Sequence, residues 1–138
     1  MKLLIDANIV LDVLQKREPH YKDSAVIWRL CETKQAEGYI SALTFANIVY
    51  IMKKELSAEK IEEILRALSL IFTIVDLTAG DLKNAAAAKL KDFEDSIQIQ
   101  TAKRIGAEYI ITRNIKDFMK SSIAAYTPSE FLLRIEFE

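Results

Sequence analysis

Short apolar runs and longer apolar stripes alternate along this chain. Leu3-Leu4-Ile5 is too short for a helix and ends in Asp6, and a helical pattern through Ile9, Val10, Leu11, Val13 and Leu14 follows at once. Such a run predicts a strand whose tip presents a carboxylate. Tyr21 to Gln35 carries Ala25, Trp28, Leu30 and Cys31 at helical spacing and stops near Gly38. Tyr39-Ile40-Ser41-Ala42 predicts a second short strand, and Phe45, Ile48, Val49, Met52 and Leu56 form a helical stripe. Ser57 is placed to cap another helix, with Ile61, Ile64, Leu65 and Leu68 on its buried face.

Leu70 to Val75 is apolar and β-branched, which predicts a strand covered on both faces. Thr78-Ala79-Gly80-Asp81 resembles a capping box and opens an alanine-rich helix to Leu90. A further helix spans Phe93 to Ile105 and is ended by Gly106, and Tyr109-Ile110-Ile111-Thr112 predicts a buried strand. After a loop carrying Asn114 and Asp117, Ala124-Ala125-Tyr126 predicts an edge strand. Thr127-Pro128-Ser129-Glu130 then caps a last helix, with proline at its first position. Strands alternating with helices imply an α/β domain with a mostly parallel sheet of four or five strands and right-handed crossovers. In such sheets ligands bind outside the carboxyl ends of the strands, so Asp6 is a candidate site residue, with a helix N-cap as the structural alternative.

Composition narrows the picture. The 138 residues suit a single domain over 1–138, and three glycines and two prolines leave no linker to divide it. No apolar run reaches the roughly 18 residues of a membrane span, and Asp6 interrupts anything like a signal peptide, so the expected location is the cytoplasm. Cys31 is alone and His20 is alone, which leaves no disulfide, no zinc set and no Ser-His-Asp triad. Cys31 is expected as a buried small hydrophobe and His20 as a solvated loop residue. A net charge of -1 argues against a general coating of nucleic acid, though a local basic strip is compatible with it.

Three segments bring acids or amides to the strand ends: Asp6, Asp92-Phe93-Glu94-Asp95, and Thr112-Arg113-Asn114-Ile115-Lys116-Asp117-Phe118. Two carboxylates about 5 Å apart at an effective dielectric near 20 repel by roughly 3 kcal/mol, so a cluster of them favours a cation. Oxygen-only ligands suit Mg²⁺ or Mn²⁺. Taken singly, Asp92 reads as a helix cap, Glu94 and Asp95 as partners of the helix dipole, and Asn114 and Asp117 as turn residues. An aspartate-nucleophile phosphatase would want a second Asp two residues after Asp6, where this chain has Asn8.

The segments Leu4-Ile5-Asp6-Ala7-Asn8-Ile9-Val10-Leu11-Asp12, Asp95 with Thr101-Ala102, and Ile110 to Phe118 resemble, in this order, the PIN-domain family. The resemblance covers the whole chain and is strongest to the small prokaryotic members, among which VapC-like toxins are prominent. It implies a PIN-like three-layer fold and an Mg²⁺- or Mn²⁺-dependent ribonuclease. The implied partners are an RNA substrate, a small antitoxin and a second copy in a homodimer; the alternative is a catalytically weak PIN module that binds RNA or protein. On this resemblance Asp6, Asp95 and Asp117 hold metal, with Asn114 beside the last of them. Thr112 and Asn8 orient ligands or water, and Arg104, Arg113, Lys116 and Lys120 face the RNA backbone. The family's second acid, usually a Glu early in the helix after the second strand, falls on Asn47. Glu94, next to Asp95, is the candidate replacement for it.

Overall fold

The computed structural model describes residues 1–135. Its five strands are β1 (Lys2–Ile5), β2 (Glu37–Ser41), β3 (Thr73–Val75), β4 (Tyr109–Ile111) and β5 (Ala124–Tyr126). They form one sheet in the order β3-β2-β1-β4-β5, and each neighbouring pair is parallel. Parallel neighbours need a helix to carry the chain back between them. The helices are α1 (Ala7–Leu14), α2 (Tyr21–Glu32), α3 (Ala42–Ile51), α4 (Ala58–Ile71), α5 (Ala79–Ala88), α6 (Phe93–Ile105) and α7 (Pro128–Ile135). Among the described residues, no helix is long and apolar enough to cross a membrane.

The two-residue period of the strands divides the core. Leu3, Ile5, Ile40 and Ile111 join residues of α1, α2, α4 and α7 on one side, including Val10, Ile27, Leu68 and Phe131. Leu4 and Ile110 point the other way, where Ile99 and Ala102 of α6 and Phe118 cover them. Side chains that alternate across a strand make this three-layer arrangement compulsory for a sheet that is apolar on both faces. Cys31 is fully buried, and burial pushes its thiol up to about 12, as suits a packing residue. A Cβ on Gly38 would meet Cys31 Sγ at 2.6 Å and Phe72 Cδ1 at 2.7 Å, so glycine there lets α2 close onto the sheet. Trp28 packs edge-on against Phe72, with ring centroids 5.3 Å apart.

Several expected boundaries move. The strand expected over Leu70 to Val75 is only Thr73–Val75, because α4 continues through Ile71. As an outer strand it is not covered on both faces: Thr73 is exposed and only Val75 is buried. On α4 just Leu68 is buried, while Ile61 and Ile64 are half-buried and Leu65 is exposed. Ala42 leaves the second strand to open α3, because the Ser41 hydroxyl accepts from the Thr44 N–H and starts the helix one residue early. The helix expected to Gln35 stops at Glu32, and the alanine-rich helix stops at Ala88 with Lys89 in the left-handed region. The capping box of α5 is present in both directions, Thr78 with Asp81.

The strand order turns about β1. The chain builds β2 and β3 on one side of it and then crosses to build β4 and β5 on the other. The neighbouring ends of β1 and β4 therefore form the switch point where a crevice opens at the carboxyl edge.

Candidate active site

Each segment reaches that edge for a topological reason. Asp6 follows β1 directly, and Thr112 follows β4 directly. The helix α6 must run back to the start of the parallel strand β4, so its first turn, with Glu94 and Asp95, lies at the carboxyl edge. The 3₁₀ turn Ile115–Phe118 after β4 carries Asp117 to the same place. A cavity of about 350 Å³ results, lined by Asp6, Asn8, Asn47, Asp92, Glu94, Asp95, Gln98, Asn114 and Asp117, with Leu43, Tyr50 and Ile51 among its apolar members.

Asp6 is the N-cap of α1 and also stands in the wall of the cavity. One carboxylate oxygen caps α1, accepting from the Ala7 N–H at 2.8 Å, while the other accepts from the Thr112 hydroxyl at 2.8 Å. The second bond spans the switch point and fixes the carboxylate across β1 and β4. The Asn114 N–H in turn donates to Thr112 Oγ1 at 3.1 Å, which ties the following loop to the same hydroxyl. Burial raises the Asp6 pKa, with Thr112, Ala7, Gln98 and Arg113 acting in the opposite direction. Asp92 likewise caps α6, accepting from the Asp95 N–H at 3.0 Å, and still lines the cavity.

Charge is crowded here. The Asp95 carboxyl is pushed up to about 7, first by burial, then by the charges of Asp92, Asp6 and Asp117 and by a hydrogen bond with Asp117. Among the described residues, the lining includes Asp6, Asp92, Glu94, Asp95 and Asp117 and neither lysine nor arginine. A cation is the chemical complement of such a wall. The acids stand around the cavity rather than at one point, and among the described residues no three His, Cys, Asp or Glu side chains are gathered as a finished ligand cage. Mg²⁺ keeps several waters and takes one or two carboxylates directly, so three gathered acids are not a condition for holding it. The donor set therefore fits a hard divalent ion.

Asn47 lies on α3 and faces the same cavity. Its Nδ2 donates to Glu94 Oε2 at 3.3 Å, so the amide holds a carboxylate of the opposite wall. Gln98 was not evident from the sequence. It is buried, one turn after Asp95 on α6, and its Nε2 donates to Thr44 Oγ1 at 2.9 Å while Oε1 has no partner among the described residues. Its spacing of three from Asp95 was the available signal, but one glutamine in a helix carries little weight without the cavity around it.

The basic residues divide. Arg104 sits nine residues beyond Asp95, about 14 Å along the helix, at the opposite edge of the sheet. There its Nε and Nη2 donate to Asp81 at 3.0 and 2.9 Å, and Nη2 also donates to the Asp76 carbonyl at 2.6 Å. The structure makes it a fold-building residue and not part of the cavity. Arg113 is outside the lining of the acidic cavity and pairs with another acid: its Nε lies 3.1 Å from Oδ2 of the fully buried Asp12, which also accepts from the Ser24 hydroxyl at 2.9 Å. It borders a second cavity of about 240 Å³ with His20, Asp23, Ser24, Thr127, Pro128 and Ser129. His20 is thus half-buried beside that cavity rather than in open solvent. Lys116 and Lys120 are exposed and outside the lining of the acidic cavity.

A model of the PIN domain matches residues 2–116. The chain belongs to the PIN domain family. Ribonuclease VapC1 of Aquifex aeolicus (strain VF5) is 26% identical over 143 residues, spanning 96% of this chain and 94% of that protein. A solved toxin-antitoxin complex from Klebsiella pneumoniae contains a chain 25% identical at a TM-score of 0.69, covering 91% of this PIN domain and 97% of that chain. VapBC2 of Rickettsia felis, solved with a DNA fragment of its promoter, shares the fold at a TM-score of 0.67 and 19% identity, covering 92% and 98% of the two chains.

Proposed function

We propose that this PIN domain is a ribonuclease that hydrolyses RNA phosphodiesters with Mg²⁺ or Mn²⁺, and that it is the toxin of a toxin-antitoxin pair. One observation carries the reading: Asp6, Asp95 and Asp117, from three separate segments, line one cavity at the switch point of the sheet. The similarity to a protein named as a ribonuclease, and to a chain from a toxin-antitoxin complex, supports it. A cytoplasmic location, a small antitoxin partner and a homodimer belong to the same reading.

Asp6, Asp95 and Asp117 would hold the ion, which when bound lowers the pKa of water and offsets charge on the phosphate. The protein's own residues set the stage for that. The Ala7 N–H and the Thr112 hydroxyl each hold one oxygen of the Asp6 carboxylate, so the group keeps one orientation. Asn8 and Asn114 offer amide groups at the rim for water or a phosphate oxygen. Asn47 supplies a neutral oxygen where an acid is usual, and its amide brings Glu94 to the cavity to restore the charge. A catalytically weak PIN module that binds RNA or protein is the second reading, and Asn47 is the residue that favours it.

Cleavage of a mixed RNA pool with Mg²⁺ or Mn²⁺ separates the two. Asp6→Asn should lose more than about 10²-fold in rate, because exchanging even outer partners of a metal ligand costs ten- to hundredfold. Equal cleavage by wild type and Asp6→Asn would refute the nuclease reading. An inactive wild type revived by Asn47→Glu would establish the weakened module. Calorimetric titration with Mn²⁺ tests Glu94 separately: Glu94→Gln should weaken binding, and an unchanged affinity where Asp95→Asn abolishes it would remove Glu94 from the site.

A further inference from the structure

The cavity that is to receive RNA is walled by carboxylates, and both arginines near the site-bearing segments are committed to buried aspartates. Something else must grip the strand. The α3 wall offers it. Leu43, Asn47, Tyr50 and Ile51 follow one another at helical spacings of four, three and one, and all four line the cavity. Tyr50 is 69% exposed, so most of its ring is open to a ligand at the edge of the cavity. Lys53 lies just past the end of α3 with its ammonium 4.5 Å from the Tyr50 ring centroid. It puts a positive charge beside an aromatic face at the rim of an acidic site.

We propose that Tyr50 and Lys53 form the RNA-binding edge of this cavity, with the Tyr50 ring stacking a nucleobase next to the scissile phosphate and Lys53 holding a backbone phosphate. Stacking suits this position because every base has an aromatic face and the contact adds no negative charge to the wall. The lysine offsets the repulsion that a polyanion meets at the carboxylates. The inference rests on the nuclease reading and specifies its substrate contact as single-stranded RNA.

Fluorescence anisotropy with a labelled single-stranded oligoribonucleotide and Mg²⁺ tests it, in an Asp6→Asn parent so that the strand stays intact. Tyr50→Ala should weaken binding about tenfold and Tyr50→Trp should retain it, with melting temperatures unchanged because the ring is exposed. An oligonucleotide of abasic residues offers no base to stack on, so the parent and the parent carrying Tyr50→Ala should bind that probe equally. A tenfold loss that persists on the abasic probe would overturn the stacking contact. Lys53→Gln should reduce the slope of log affinity against log salt by roughly 0.7, the value for one single-strand phosphate contact. A parent that binds no RNA, or Tyr50→Ala binding it as tightly as the parent, overturns the proposal and leaves the ring to a protein surface. Cleavage retained by Asp6→Asn would overturn the nuclease reading instead, and the titration repeated on an uncleavable analogue of the same strand would then decide the stacking contact.

Discussion

The two ends of α6 show opposite treatments of charge. At its C-terminal end Arg104 closes on Asp81 with two hydrogen bonds, and Asp81 also completes the capping box of α5. Burial alone would raise the Asp81 pKa, but the Arg104 hydrogen bond, Thr78 and the Arg104 charge outweigh it and hold the carboxyl below its ordinary range. At the N-terminal end Asp92, Glu94 and Asp95 meet Asp6 and Asp117, with no lysine or arginine among the described residues of the wall. The helix dipole eases this a little, since anions are favoured at a helix N-terminus by about 0.3–1 kcal/mol, less than the repulsion within the cluster. One end of the helix serves the fold; the other gathers charge that a proton or a bound ligand relieves.

Neutralising each end of α6 in turn separates the two roles. Asp95→Asn should cut RNA cleavage by more than about 10²-fold without lowering the melting temperature of the metal-free protein. A variant that cleaves normally would mean the crowded end is not the reactive one. Arg104→Ala should do the reverse. Removing one partner of a buried pair can cost about 3–5 kcal/mol, but the arginine side chain is 37% exposed, so about 2 kcal/mol is expected. For a chain of this size that is a fall of roughly 5–10 °C in melting temperature. Cleavage measured well below that temperature should stay near wild type, and a specific loss there would return Arg104 to the site.

The same contrast explains what the sequence could and could not convey. Asp6 and the loop carrying Asp117 were legible because strand ends are visible as apolar runs that stop, and parallel topology sends those ends to one edge; Asp95 follows no strand and stood out only through the resemblance. Asn47 became legible only by its place after Ser41, and its bond to Glu94 crosses 47 residues that no local pattern links. Arg104 was misplaced because nearness in sequence to Asp95 hides the length of a helix between them. Arg113 was misjudged for another reason: Asp12 sits in an apolar stripe, and nothing local marks it as a buried anion that needs a cation from a distant loop. The overlong β3 arose because Leu70 and Ile71 are equally good ends for an amphipathic helix, and Ile71 is half-buried while Leu70 is exposed at the close of α4.

The two ends should also respond to pH with opposite signs, a smaller effect. The Asp81 pKa is lowered in the fold, so its stabilisation is present above the unfolded value near 3.9 and is lost as the pH falls through the folded one. The Asp95 pKa is raised to about 7, so the native state holds its proton more tightly than the unfolded chain between about pH 4 and 7. Its contribution is therefore fully present below about pH 4 and is lost as the pH climbs through 7. Thermal melts with chelator should show Asp95→Asn gaining on wild type over that window and holding its lead at about pH 8. Asp81→Asn should instead fall behind wild type at neutral pH and draw level in acid. Saturating Mg²⁺ should then close the gap at Asp95, since an ion held by the carboxylate stabilises wild type and has less to bind in the variant. If Asp95→Asn melts below wild type at about pH 8 without metal, the N-terminal end of α6 is as well compensated as the C-terminal end, and the contrast between them fails.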